Sequence, residues 1–523
     1  MARRARPLGP AVAAGAAAAA LVLALALVPL GAVAWRAEAG AGLGPADWAA
    51  VRFTLWQAFL SAALSCLLAV PVARALARRN FAGRGVLITL LGAPFILPVI
   101  VAVLGLLAVY GRSGLISDAL GLLGLGPIDI YGLTGVVLAH VFFNLPLATR
   151  LVLQGWLAIP SERFRLAASL GFAPSDVARV LERPMLRATL PGAFLVIFLI
   201  CMTSFAVALT LGGGPRATTV ELAIYQAFRF EFDLGRAALL ALVQFALCAA
   251  AAVLAFAVAL PTGMGAGLDR PVARWDATGR ALRLTDAAWL AFAALFLILP
   301  LGMVVAKGLP GMAGLPASVF AAAARSVLVA LGSAALTLAL ALPLALAAVR
   351  LGGAGGAALQ AAGTLSIATS PLVIGTGLFI LLFPVADPVA LALPVTALVN
   401  AAMSLPFALR ALVPAVAEAE AGFGRLADSL GVAGRSRLRL VLLPRLRRPA
   451  GFALGLSAAL SMGDLGVIAL FADPSQATLP LQLYRLMAAY RMEDAAGAAL
   501  LLLILSLALF WVFDRGGRAH AAA

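Results

Sequence analysis

The feature that most constrains this chain is a succession of apolar runs, each long enough to cross a bilayer. Runs near 11–34, 52–74, 86–110, 132–154, 190–211 and 236–260 are followed by six more near 285–306, 322–349, 359–383, 389–413, 449–472 and 494–513. A spanning helix needs about 20 apolar residues. Lipid offers backbone groups no partner outside their own helix or a closed barrel, so runs of this length read as helices. Composition agrees, with 63% hydrophobic and 11% charged residues, against roughly 25% charged in soluble domains. The expected fold class is an all-α polytopic membrane protein of about 12 transmembrane helices.

The net charge of +16 raises the question of nucleic acid. With the runs taken as spans, 28 of the 38 basic residues fall in loops on one side. That asymmetry is the positive-inside bias of a membrane protein, and it places both termini on the cytoplasmic side. No basic face with a base-reading element accompanies it, so no nucleic-acid partner is read. The run 11–34 follows Arg3, Arg4 and Arg6 and exceeds a signal-peptide core, so it reads as a retained first helix. Cys66, Cys201 and Cys248 sit inside apolar runs without metal-ligand spacing and read as buried small hydrophobes. No catalytic, cofactor-binding or metal site is read in the chain.

A second feature is internal duplication. Asn144-Leu-Pro-Leu-Ala-Thr-Arg150, Arg165-Leu-Ala-Ala-Ser-Leu-Gly171 and Leu181-Glu-Arg-Pro184 recur as Ser404-Leu-Pro-Phe-Ala-Leu-Arg410, Arg425-Leu-Ala-Asp-Ser-Leu-Gly431 and Val441-Leu-Leu-Pro444, all shifted by 260. Upstream, Ser61–Pro71 resembles Ser333–Pro343 at a shift of 272, which assigns about twelve extra residues to the outer loop Tyr110–Tyr131. Six spans per copy give two parallel repeats related by an axis along the membrane normal. The expected division is 1–260, a Gly-rich, mixed-charge cytoplasmic linker at 261–284, and 285–523.

The parts Arg165–Pro184 and Arg425–Pro444 of the duplicated stretches lie in long inward loops, 155–189 and 411–448. Each loop is too polar to span, yet Leu166 and Leu170, or Leu426 and Leu430, share one helical face. Gly171 and Gly431 suit a helix end that reverses the chain, and Pro184 and Pro444 are expected to stop a second short helix. A solvated pair of basic loops that holds topology is one reading. Two matching knobs for a two-fold partner is the other.

These residues resemble the loop motif of binding-protein-dependent ABC importer permeases: Glu-Ala-Ala, then Gly, then an aliphatic residue and Leu-Pro. The match covers Ala167, Gly171, Leu181 and Pro184 in the first copy and Ala427, Gly431, Val441, Leu443 and Pro444 in the second. The motif's Glu falls on Arg165 and Arg425. Further stretches are similar to the fused permeases of bacterial thiamine and thiamine pyrophosphate ABC importers. They are Arg52–Ala62, Leu138–Pro146, Leu211–Gln226 and Ser461–Phe471. The resemblance implies a type I importer (MetI-like) fold in the inner membrane and coupling helices that dock on an ATPase dimer. It also implies a periplasmic substrate-binding protein and uptake of thiamine and its phosphates. ATP and magnesium then belong to the partner, because the sole lysine, Lys307, precedes Gly308 and cannot complete a P-loop.

Polar residues within the runs are candidates for a translocation path. Asp464 lies midway along its run between Gly463 and Gly466, and its counterpart at a shift of 260 is Ser204. A carboxylate at such depth faces a cavity or a partner. It reads either as a lining group for the cationic thiazolium or as a packing residue. His140 and Asn144, one turn apart, line a path or bond between helices. On the outer side, Glu221, Tyr225, Asp233 and Arg236, with Tyr484, Arg485 and Tyr490, are candidates for docking the binding protein.

A twelve-helix secondary transporter also has parallel six-helix halves, but is expected to place its longest inner loop at the seam and to bury charge relays. A membrane transferase would need clustered acids or histidines, and this chain has two histidines. Ferric iron is the alternative cargo within the importer class.

Overall fold

The computed structural model describes residues 10–37, 42–92, 96–214, 217–257, 275–277, 279–471 and 473–519. Arg3, Arg4, Arg6 and linker residues 261–274 and 278 lie outside them. The first repeat runs through α1 (Pro10–Arg36), α2 (Pro45–Arg78), α3 (Arg84–Leu90), α4 (Val99–Tyr110), α5 (Leu115–Gly121) and α6 (Leu133–Leu157). It continues with α7 (Ser161–Ser169), α8 (Pro174–Val177), α9 (Arg183–Met202), α10 (Phe205–Leu211), α11 (Val220–Arg229) and α12 (Leu234–Ala257). The second comprises α13 (Arg280–Gly311), α14 (Ala317–Leu351), α15 (Gly353–Thr364), α16 (Pro371–Leu382) and α17 (Ala392–Ser429). After it come α18 (Gly434–Arg437), α19 (Leu443–Met462), α20 (Gly466–Phe471), α21 (Leu479–Ala488) and α22 (Met492–Ala519). No strand occurs among the described residues.

The sequence shift is written into the helices. α4 and α16 lie 272 apart at both ends, whereas α9 and α19 lie 260 apart at both ends. The change falls between α4 and α6, where α5 has no counterpart. Ser117 secures this insert, its hydroxyl donating to the Gly111 carbonyl at 2.7 Å and accepting from the Ile128 N–H at 3.1 Å.

Among the described residues, eleven helices are long and apolar enough to cross a bilayer, and Pro371–Leu382 is shorter. The run expected to be one helix at 359–383 is broken. α15 ends at Thr364, a 3-10 turn follows, and α16 starts at Pro371. Proline lacks an N–H and drives the residue before it out of helical geometry. Pro98 stands likewise at the head of α4, dividing the run at 86–110. The fifth and eleventh runs break too, at Thr203–Ser204 and at Gly463–Leu465. Conversely, α17 runs unbroken to Ser429, while the first repeat interrupts the same stretch before Pro160 to give α6 and α7.

The repeats are interlocked. α1 packs on α14 and α16 of the second repeat, and α13 packs on α2 and α4 of the first. Gly105 of α4 lies against the Pro300 carbonyl of α13, and Gly377 of α16 against the Pro29 carbonyl of α1, with no room for a β-carbon at either. Lipid gives helices little hydrophobic drive to associate, so close approach over small residues holds them. A second matched device fixes the short helices of the face opposite the long loops. The Thr54 hydroxyl accepts from the Val220 N–H (2.9 Å), and the Ser326 hydroxyl from the Leu479 N–H (2.7 Å). These bonds tie the first residue of α11 to α2 and that of α21 to α14.

Candidate functional site

The two long loops are built alike. In the first, the Leu170 and Phe172 N–H groups bond to the Leu166 and Ala167 carbonyls at 3.0 Å each, with Gly171 at φ +69° between them. In the second, the Leu430 and Val432 N–H groups bond to Leu426 and Ala427 at 3.0 and 2.8 Å, with Gly431 at φ +67°. A left-handed residue closing a helix in this way satisfies its last carbonyls and reverses the chain. Both glycines therefore sit where the sequence places a helix end.

Leu166, Leu170, Leu426 and Leu430 are 59%, 62%, 55% and 68% exposed. Arg165, Arg425, Gly171, Gly431, Pro184 and Pro444 are also exposed, Leu181 and Val441 are half-buried, and Ala167 and Ala427 are buried beneath the helices. Each loop thus presents two leucines one turn apart, flanked by an arginine. Arg165 pairs with Glu162 at 2.9 Å. The Glu162 carboxyl is held below its usual range by a backbone N–H and the Ser161 hydroxyl, then by Arg165.

Pro184 and Pro444 do not stop a short helix as expected. Each lies in the first turn of the next long helix, α9 or α19, preceded by a π-helical turn at 178–182 or 438–442. There the Arg183 and Leu443 N–H groups reach back five residues, to Ala178 and Leu438. The wider turn accommodates proline's missing donor without breaking the helix.

The supports beneath the loops differ. In the second, buried Arg437 bonds to Glu420 and, at 2.5 Å, to Asp428. The counterparts of these three residues at a shift of 260 are Val177, Pro160 and Ala168, and Val177 is packed in the apolar core. In the first repeat the charge lies further along, at buried Glu182, 2.7 Å from Arg74. Their counterparts, Leu442 and Leu346, belong to one apolar cluster.

Ser204 and Asp464 share a setting that no run length betrays: both lie at the helix breaks, half-buried. Ser204 precedes the first residue of α10, and Asp464 accepts from the Gly466 N–H at 3.2 Å. Gly463 packs against Pro98 at the head of α4, and Phe205 faces Gly466, so the breaks lie where the repeats meet. His140 and Asn144 are elsewhere, buried among α2, α6 and α9. His140 Nδ1 lies 3.3 Å from the Ser61 hydroxyl, and the Asn144 amide donates to the His140 carbonyl at 2.8 Å and contacts Cys201 Sγ at 3.4 Å. In the second repeat the counterparts of His140 and Cys201 bond directly, Asn400 to Ser461 at 3.0 Å. His140 and Asn144 thus tie helices together.

On the opposite face, Glu221 and Tyr225 are buried and so are not surface groups. Arg236 is taken up by Asp47 of α2 at 2.7 Å and by Glu231. What that face does present is a matched pair of aromatics. Phe232, before α12, and Tyr490, before α22, are 79% and 90% exposed, with φ +54° and +58°. Positive φ is rare and costly for bulky residues. The sequence flags Tyr490 but not Phe232, because the pairing emerges only at a shift of 258.

Two interlocked helical repeats, broken helices at their junction and twin exposed loop helices on one face define a polytopic permease subunit of the type I ABC importer (MetI-like) architecture. No family model matches the chain. Curated relatives do. The thiamine transport system permease protein ThiP of Brucella abortus is 40% identical over 483 residues, covering 91% of this chain and 89% of that protein. ThiP of Salmonella typhimurium is 40% identical over 485 residues (91% and 90%), and that of Escherichia coli 40% over 481 (90% and 89%). A shorter match, 29% over 178 residues, is to the molybdenum transport system permease protein ModB of Azotobacter vinelandii. The chain belongs to the family of thiamine transport system permease proteins.

Proposed function

We propose that the chain is the membrane-spanning subunit of an ATP-driven importer that carries thiamine and its phosphate esters, thiamine pyrophosphate among them, across the bacterial inner membrane. The observation that carries this reading is identity to thiamine permeases sustained over about nine-tenths of the chain, hence over both repeats. The same names favour thiamine over ferric iron. A secondary transporter is disfavoured by placing the long loops after the fourth and tenth runs rather than at the seam.

The loop helices, with Arg165, Ala167, Gly171, Leu181 and Pro184 in one and Arg425, Ala427, Gly431, Val441 and Pro444 in the other, form the coupling site for an ATPase dimer. That partner binds ATP and magnesium in the cytoplasm, where both termini of this chain also lie. Exposed leucine pairs at symmetric places support this, because a two-fold partner offers two equivalent sockets. The opposite face, with Phe232 and Tyr490, receives a periplasmic substrate-binding protein. Asp464 and Ser204, at the breaks between the repeats, border the translocation path, and the Asp464 carboxylate meets the thiazolium cation. Transport follows alternating access: closure of the ATPase dimer moves the loop helices and rocks one repeat against the other. That requires the ATPase to bind the loops differently in its open and closed states.

The test is growth of a thiamine auxotroph on trace thiamine, with and without this chain, paired with labelled thiamine uptake by the reconstituted complex. Growth and ATP-dependent uptake that require the chain support the reading, and uptake independent of it refutes it.

A further inference from the structure

An ionic chain on the loop side links the exit of the first loop to the second repeat; at the places of Glu182 and Arg74 the second repeat has Leu442 and Leu346. Glu182, the last residue of the π-helical turn leading into α9, is 3% exposed. Arg74 bonds to it at 2.7 Å, and Arg78, 8% exposed, lies 3.7 Å away. Arg78 also faces Asp286 of α13 at 3.9 Å, and Arg79 bonds to Asp286 at 2.7 Å. Arg79 further donates to the Ala277 carbonyl at 2.6 Å, just before α13. Glu182 belongs to the first loop and Asp286 to the second repeat, and the three arginines between them lie at the end of α2.

We infer that Glu182, Arg74, Arg78, Arg79 and Asp286 form a strut that carries movement of the first loop directly into α13 of the opposite repeat. This rests on the proposed coupling role of the loops and adds a route by which one loop drives both repeats. Charges buried this deeply hold each other in place, because separating them exposes each to an apolar surround. A push on Glu182 therefore displaces α13 instead of opening a gap. At the matching place the second loop has Leu442 and Leu346, members of an apolar cluster that also takes in Ala18, Ala19 and Val22 of α1. Apolar contacts carry no directional bond, so this contact with α1 slides where the ion pairs hold. Glu182 and Asp286 are thus positioning residues, and the two loops transmit differently.

The experiment uses the complete importer, permease with ATPase and binding protein, in proteoliposomes, and reads thiamine uptake and ATP hydrolysis in parallel. Glu182→Gln and Asp286→Asn keep shape and remove charge. Each is expected to lower uptake about tenfold while ATP hydrolysis stays within twofold of wild type, and the double variant falls no further, because the two act in series. Unchanged uptake per ATP in both singles, or losses that multiply in the double, overturns the strut. An Arg79→Cys/Asp286→Cys pair gives a second readout within one folded protein. A short reducible bis-methanethiosulfonate cross-linker, which bridges thiols at ion-pair spacing, restores the link covalently and uptake with it, and reduction lowers both; equal uptake in the cross-linked and reduced states overturns the proposal. If the wild-type chain retains no ATPase, the coupling reading itself fails, and that outcome is separate from any variant result.

Discussion

The first and second loop helices have nearly the same surface and different foundations. Both close on a left-handed glycine and expose two leucines. Below them, the first rests on Val177 in the apolar core, while the second is clamped by Arg437 between Glu420 and Asp428. At the place matching Glu420, Pro160 cuts the first loop helix away from α6, whereas Glu420 lets α17 run through. The first segment is therefore a jointed piece tied to α13 by charge, and the second is the stiff end of a 38-residue helix. The two copies keep the same exposed surface, which the proposed function assigns to a symmetric partner, and differ in the interior, where each needs only some way of being held.

The comparison can be broken first at what the copies share. Gly171→Pro and Gly431→Pro demand φ near −65° where the chain holds about +68°, and each removes an N–H from the turn. Thiamine uptake in vesicles is expected to fall more than twentyfold for either, while the protein stays in the membrane; wild-type uptake in both would count against the coupling site. Next comes what they do not share. Arg437→Met removes the buried cation from half-buried Glu420 and exposed Asp428, and removing one partner of a fully buried pair costs about 3–5 kcal/mol. With Asp428 47% exposed, the lower end is expected, read as a drop in unfolding temperature in detergent. Val177→Ala, its counterpart, is expected to cost about 1 kcal/mol as a small cavity.

The exposed leucines sharpen the functional side. Leu426→Ala with Leu430→Ala, and Leu166→Ala with Leu170→Ala, leave thermal stability within about 0.5 kcal/mol. Each pair is expected to weaken ATPase retention on co-purification about tenfold, close to 1.4 kcal/mol. Equal losses support equal sockets, and loss confined to one pair would argue for an asymmetric partner. The smallest effect belongs to Arg165→Ala. Its pair with Glu162 is exposed at 74% and 71%, where solvent screens an ion pair and leaves it little net effect, so unfolding should shift by less than about a degree or two.

Much of this is legible in the sequence. Apolar runs fix the helical class because hydropathy is a property of length and composition. Three anchors at one shift fix the repeat, because related segments fold alike. The helix breaks at Ser204 and Asp464 were hidden, since Leu-Ile-Cys-Met-Thr-Ser-Phe reads as continuously apolar and only packing against Pro98 and Phe205 reveals the interruption. Prolines 184 and 444 misled for a related reason: proline signals a missing bond, and a π-helical turn supplies room for one. The Arg437 clamp joins residues nine and seventeen positions away, spacings that no helical period picks out. Phe232 carries no repeat signal at a shift of 260, because the repeats drift to 258 before the last helix.

The exchanged helices α1 and α13 carry a consequence for biogenesis. Until α14 and α16 have been synthesised, α1 lacks the surface against which Pro29 and Gly377 meet, and α2 and α4 wait in the same way for α13. At roughly 5–20 residues per second, that interval lasts on the order of tens of seconds. For that time the nascent half stands in the bilayer with open grooves. The insertion machinery must shelter it, or lipid must fill the grooves and later be expelled.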